Sequence, residues 1–144
     1  MNNKIVVAYD GSAAATRALA FATGLAKAQG SSVLIVHVLE WSPYSFLTPT
    51  ELEERHARRK EEIARAETAI VAPAKAEAEK SGVAVETAIR YGHIAETLCK
   101  IAVSSEATQL VIGRDGQSSF GARVFGSVAG SLVQIAPVPC TIVP

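Results

Sequence analysis

The sequence predicts an α/β domain, a parallel sheet with helices on both faces. Three observations carry this. Short runs of β-branched and apolar residues recur along the 144-residue chain, and their continuity marks strands covered on both sides. Between them stand segments with apolar residues at helical spacing. The changes of pattern fall at glycine, proline or serine. Alternation of this kind implies parallel strands joined by right-handed crossovers.

The elements follow in order. Residues 4–9 (KIVVAY) are a buried strand. Residues 13–29 carry apolar positions at helical spacing, with Ser12 placed to cap the start and Gly30 to end the helix. Residues 32–39 (SVLIVHVL) form a second buried strand. Residues 40–50 break the pattern with Pro43 and Pro49 and bring Trp41, Tyr44 and Phe46 together. From Thr50 to about Lys80 a long helix carries Glu, Arg and Lys at three- and four-residue spacing. Pro73 should kink it, because proline removes a backbone donor and crowds the preceding turn. Residues 83–89 alternate and so read as a strand near a sheet edge. A helix over 93–104, a strand over 108–112, a helix over 127–135 and a last strand over 138–143 complete the chain.

Composition bounds the function. The length suits one domain, residues 1–144, with a sizeable core. Fourteen basic residues balance fourteen acidic ones, so charge gives no case for nucleic acid or an anionic membrane surface. The first apolar run is too short for a signal-peptide core, and no later run reaches membrane-spanning length. Cys99 and Cys140 lie far apart in sequence without metal-ligand spacing. They read as small buried apolar residues in a reduced, cytoplasmic protein.

In parallel sheets ligands sit beyond the carboxyl ends of the strands, where strand order reverses. The loops expected there are 9–12, 40–50, 90–92 and 113–126. The first strand ends in Asp10-Gly11-Ser12, and the fourth runs into GRDGQSSFGARVFGS, with four glycines and three serines in fifteen residues. Glycine lets backbone approach a ligand closely. Gly126-Ser127 at a helix start offers free N–H groups, the positive end of the dipole and a hydroxyl, which together suit an anion. The same residues are also ordinary punctuation between a strand and a helix, and both readings stay open on the residues alone. The stretch is neither a Walker loop, since Gly-Lys-Ser/Thr occurs nowhere, nor the dinucleotide fingerprint, which places its glycines on the first turn.

These residues carry a resemblance. KIVVAYDGS, LIVHVL, GHIAETLCKIA and LVIGRDGQSSFGARVFGSVAGSLVQIAPVPCTIVP together resemble the universal stress protein family over nearly the whole chain. The spacing G-x2-G-x9-G-S, from Gly113 to Ser127, is similar to that of the family's ATP-binding branch. The resemblance implies a Rossmann-like nucleotide-binding fold with a five-stranded parallel sheet in the order 3-2-1-4-5. That order puts the reversal between the first and fourth strands, beside Asp10 and Gly113. By the same resemblance Ala8, Asp10 and Val38 line an adenosine pocket, and Ile112 and Gly113 lie against the ribose. Gly116, Gly126, Ser127 and Val128 hold phosphates. The implied ligand is ATP or AMP, with Mg²⁺ where phosphates call for it.

Each position also has a structural reading. Asp10 can hydrogen-bond its own turn, and Val38 can be plain core. Where many members carry a basic residue after the second glycine, this chain has Gln117, and the pair before that glycine is Arg114-Asp115. A carboxylate beside a polyphosphate is unfavourable, so a weaker grip on terminal phosphates is expected; Arg123 is a candidate to supply positive charge, and a solvated loop arginine is its other reading. His37 alternates with core positions and reads as a satisfied buried histidine. His56 reads as helix surface. His93 follows Gly92 at a helix start on the ligand side and is the one histidine placed to meet a ligand. The chain lacks a G-x-S-x-G elbow, the acidic pair of a receiver domain and the His-x-Gly-His of nucleotidyl transferases. No catalytic constellation is visible, so binding rather than turnover is expected.

The final strand ends the chain as a sheet edge with unpaired backbone groups, and Pro137 and Pro139 restrict its pairing. The resemblance implies a homodimer joined through Val138 to Val143. The favoured reading is a cytoplasmic, dimeric adenine-nucleotide-binding regulator of a stress response, with no nucleic acid and no membrane insertion. The other readings are a slow Mg²⁺-dependent ATP hydrolase or phosphotransferase, and a nucleotide-free protein-interaction module.

Overall fold

Runs of β-branched residues become the inner strands because both of their faces are covered. The computed structural model describes residues 3–40, 48–115 and 127–144. Its strands are β1 (Lys4–Ala8), β2 (Ser32–Glu40), β3 (Val85–Gly92), β4 (Gln109–Gly113) and β5 (Cys140–Val143). They form one five-stranded sheet in the order β3-β2-β1-β4-β5, with every pair parallel. This is the expected order, with its reversal between β1 and β4. The alternating strand β3 lies at an edge, as its pattern implied.

Side-chain parity splits the core in two. Ile5, Val7, Val33, Ile35 and Val111 point to one face and pack against α1 (Ala13–Gln29) and α3 (Ala72–Glu79). Val6, Leu34, Val36, Leu110 and Ile112 point to the other and pack against α4 (Ile94–Ser104) and α5 (Ser127–Ile135), which contribute Leu98, Ala102, Ala129 and Leu132. On α1 the buried positions are mostly alanine (Ala14, Ala15, Ala18, Ala22, Ala26), so its backbone lies close to the sheet. Ser12 caps it, its Oγ accepting from the Ala15 N–H at 3.1 Å, and Gly30 ends it in the left-handed conformation. Both ends match the sequence reading.

The long charged helix is not one helix. It is α2 (Pro49–Ala66), a π-helical turn over Glu67–Val71, and α3. In the π turn the Ala72 N–H donates to the carbonyl of Glu67, five residues back. The cause lies one residue on, where Pro73 has no N–H and its ring crowds the preceding turn. Slipping the ladder there accommodates the ring, so the expected kink takes the form of a π-bulge. α2 starts in a capping box: Thr48 Oγ1 accepts from the Glu51 N–H at 3.2 Å, and Glu51 Oε2 accepts from the Thr48 N–H at 3.3 Å. Its one buried residue is Ala66. It is tied to the sheet through Tyr91 of β3, whose hydroxyl donates to Glu62 Oε2 at 2.7 Å while Arg59 stacks over the ring at 5.1 Å.

Other boundaries shift slightly. β3 begins at Val85 rather than Val83, although Val83 stays buried. β5 begins at Cys140 rather than Val138, because Pro139 has no N–H and joins the ladder only through its carbonyl, which accepts from the Leu110 N–H at 2.9 Å. Arg17 Nε donates to the Pro144 carbonyl at 3.0 Å and ties α1 to the end of β5. The aromatic positions Trp41, Tyr44 and Phe46 lie outside the described residues.

Candidate functional site

All five strands run the same way, so the loops after them gather at one end of the sheet. After β1 the chain turns at once into α1. Asp10 Oδ1 accepts from the Ser12 N–H at 2.9 Å, closing the Asx-type turn expected of Asp-Gly-Ser. The Tyr9 N–H still pairs with the Val36 carbonyl at 2.9 Å. His37 fixes the same corner. Its Nδ1 lies 2.7 Å from the Tyr9 carbonyl. A carbonyl only accepts, so Nδ1 carries the proton. His37 is therefore a satisfied buried histidine, as its alternation with core positions suggested.

Ala8, Val38 and Ile112 share one face of the sheet. Ala8 pairs in register with Val36, two residues before Val38 on the same face, and all three pack against the core beneath α4 and α5. Val128, in the first turn of α5, joins that cluster. Gly113 faces the other way: a Cβ there would lie 2.8 Å from the Ala14 carbonyl carbon and 2.9 Å from its oxygen. The end of β4 thus sits against the start of α1, which gives Gly113 a packing role of its own. Arg114 follows with its N–H donating to the Val143 carbonyl at 2.8 Å, and its Nε lies 3.9 Å from Asp115 Oδ2. Gly116, Gln117, Arg123 and Gly126 lie outside the described residues.

A cavity of about 550 Å³ lies between the start of α4 and α5, along which it runs from Ser127 to Ile135. Its walls include Glu40 at the end of β2, Gly92 and His93 at the end of β3, Glu96 on α4, and Ser127 and Val128 on α5. Ser131, Gln134 and Ile135 continue the α5 wall, and Ile94 and Ala95 the α4 wall. Of the site residues read from the sequence, Ser127 and Val128 line this cavity, while Ala8, Val38 and Ile112 lie in the adjoining core cluster and Asp10 in the turn after β1. Glu40, Glu96, Ser131 and Gln134 escaped sequence reading. The Ser127–Ser131 spacing of one helical turn was the available signal, and Ser131 Oγ donates back to the Ser127 carbonyl at 2.9 Å. Among the described residues no group of three or more His, Cys, Asp or Glu side chains could hold a metal ion.

The model of the universal stress protein family matches residues 1–144. The chain belongs to the universal stress protein family. A universal stress protein from Thermus aquaticus, encoded in the 3′ region of a QAH/OAS sulfhydrylase, is 36% identical over 146 residues, covering 99% of both chains. The universal stress protein YxiE of Bacillus subtilis is 31% identical over 147 residues, again covering 99% of each. Among solved structures, the universal stress protein UspA from Lactobacillus plantarum superposes with a TM-score of 0.85 at 24% identity, covering 99% of this chain and 97% of its own. A universal stress protein from Archaeoglobus fulgidus in complex with dAMP has a TM-score of 0.67 at 22% identity, with 100% and 98% covered. A family protein from Arabidopsis thaliana with AMP bound has a TM-score of 0.63 at 17% identity, with 98% and 90% covered.

Proposed function

We propose that this universal stress protein binds an adenine nucleotide at the carboxyl end of its sheet. The observation that carries the reading is the 550 Å³ cavity, large enough for a small ligand, whose lining along α5 includes Ser127 and Val128 in its first turn. Two structurally similar family members, with dAMP and with AMP, support the ligand class. In this reading Ala8, Asp10 and Val38 meet the adenosine, and Ile112 and Gly113 meet the ribose. Gly116, Gly126, Ser127 and Val128 meet the phosphates.

The described walls of the cavity favour few phosphates. Among the described residues that line it are two carboxylates, Glu40 and Glu96, and no lysine or arginine. A triphosphate there would need compensation, and magnesium would enter as the counter-ion of the phosphates rather than on a protein cluster. We therefore read the ligand as AMP-like, and ATP as a ligand that depends on Mg²⁺. The protein acts in this reading as a cytoplasmic regulator that dimerises through β5, whose outer edge is unpaired in the sheet. No helix among the described residues is long and apolar enough to cross a membrane.

The test is to denature protein purified without added nucleotide and identify the released small molecules by mass spectrometry. Calorimetry with AMP, and with ATP in the presence and absence of Mg²⁺, follows. Stoichiometric AMP, or AMP binding at least about tenfold tighter than metal-free ATP, is the expected result; tenfold corresponds to about 1.4 kcal/mol. An empty extract with no heat from either nucleotide refutes the reading. Tighter binding of metal-free ATP than of AMP refutes the preference.

A further inference from the structure

Among the described residues of the cavity wall, acidic side chains outnumber basic ones. Glu40 comes from the end of β2 and Glu96 from the first turn of α4, and both carboxylates are exposed. The α5 wall contributes only hydroxyl, amide and apolar groups, since residues 127–135 contain no ionisable side chain. Among the described lining residues, His93 is the one whose side chain can carry a positive charge. Arg90 on β3 is exposed, donates from Nη1 to the Ile89 carbonyl and does not line the cavity. Tyr91 points to the opposite face, where it holds Glu62.

The placement of His93 is built into the chain. His93 occupies the N-cap position of α4 with extended backbone, and its carbonyl accepts from the Thr97 N–H at 2.9 Å. Its side chain makes no capping hydrogen bond, so the exposed imidazole is not committed to the helix end. The bend before it requires glycine. Gly92 is buried with φ +152°, and a Cβ there would lie 2.5 Å from Thr97 Oγ1. β3 therefore ends, and α4 begins, in one fixed geometry that sets the imidazole on the cavity wall.

We propose that His93 reads the charge of the ligand: its protonated ring offsets Glu40 and Glu96 and admits a singly phosphorylated nucleoside, while its neutral ring leaves the cavity selective for the uncharged nucleoside. The proposal rests on the nucleotide reading above and adds a specificity-determining residue to it. Histidine is the side chain whose ordinary titration range spans physiological pH, so the preference for charged ligand should change with acidity.

The experiment compares adenosine with adenosine 5′-sulfate by titration calorimetry on the full chain, at about pH 5.5 and about pH 8. The sulfate ester keeps one negative charge throughout that interval, so the ligand itself does not titrate. The quantity read is the ratio of the two affinities. In the unsubstituted protein the ratio should move toward the sulfate ester at the lower pH by about two- to fivefold, the range of an exposed charge pair. His93→Gln should give a ratio that no longer changes with pH. His93→Arg should hold the ratio at its acid value at both pH values. A pH dependence that survives in His93→Gln overturns the proposal and points to protonation of Glu40 or Glu96 instead. A ratio that does not change with pH in the unsubstituted protein also overturns it, as does rejection of the sulfate ester at both pH values with adenosine still bound. Failure of both ligands to bind at either pH removes the nucleotide reading itself, and the role of His93 with it.

Discussion

Gly113→Ala separates packing from ligand contact at the end of β4. An added Cβ would lie 2.8 Å from the carbonyl carbon of Ala14, and 2.9 Å from both its oxygen and its Cβ. Carbon atoms at their optimal separation stand about 3.5–4.0 Å apart, so the overlap approaches an ångström. Two of the three atoms met are backbone in the first turn of α1, and no rotamer change can move them. Either the helix start or the strand end must shift. Overpacking of this kind costs about 1–3 kcal/mol. For a chain of this size each kilocalorie moves the melting temperature by about 2–4 °C, which gives a fall of about 2–12 °C.

The assay is thermal and urea unfolding of the nucleotide-free protein, followed by far-ultraviolet circular dichroism. The loss must appear in full without ligand, because its cause is the contact with Ala14. Ala14→Gly removes only the Cβ contact, so the double variant should remain less stable than the unsubstituted protein. Unfolding of Gly113→Ala at the unsubstituted midpoint would refute the steric argument. Weaker nucleotide binding by this variant is also expected, since α1 starts just after Asp10, and should not be taken as loss of a direct ribose contact.

Asp10→Asn keeps an oxygen that can accept from the Ser12 N–H, so its melting temperature should stay near the original. Asp10→Ala should lose about 1 kcal/mol, and equal losses in the two variants would place the effect in the charge. Thr48→Ala removes one half of the capping box, at about 1 kcal/mol locally. Because Ala66 is the one buried residue of α2, the change should show as faster amide exchange around residues 50–52, with the global unfolding midpoint little moved. The Tyr91 hydroxyl is pushed up to about 12, first by burial and then by its hydrogen bond to Glu62. Its folded value exceeds the unfolded one, so its contribution to stability is complete below about pH 10 and fades toward pH 12; ultraviolet titration should show a late-ionising component that is absent in Tyr91→Phe. Burial raises both cysteine thiols, helped at Cys99 by Glu96 and at Cys140 by Cys99. Both should react slowly with a disulfide reagent near pH 8 and rapidly after unfolding; a fast native phase would contradict this.

The inner strands were legible because two-sided burial writes itself as uninterrupted apolar sequence. The helix ends at Ser12 and Gly30 were legible because each end has a local chemical cause. The break near Pro73 was legible as a break but not as a π turn. Proline announces that one backbone bond is missing, while the place where the ladder slips depends on how α2 and α3 meet the sheet. The start of β5 moved past Pro139 for a local reason that the sequence already contained. Cys99 and Cys140 are 41 positions apart in the chain yet pack against one core cluster, a meeting that the packing of α4 against α5, and of α5 against β5, produces.

The site divides along the same line. The turn at Asp10 is set by its neighbours in sequence and could be read. The cavity wall is set by α4 lying beside α5, so Glu40, Glu96 and Gln134 left no local mark. The glycines carry a further lesson. Gly113 is explained by Ala14, and Gly92 by Thr97 together with its positive φ, in each case without any ligand. A glycine at the end of a strand is therefore weak support for a ligand when taken alone. What gives these two weight is the result of the close turns they permit. One lets α1 begin against the end of β4, beside Asp10. The other sets His93 at the head of α4, across the cavity wall from Ser127. The packing role and the binding role are then two consequences of one backbone path, and the ligand must be sought in the groups that this path brings together.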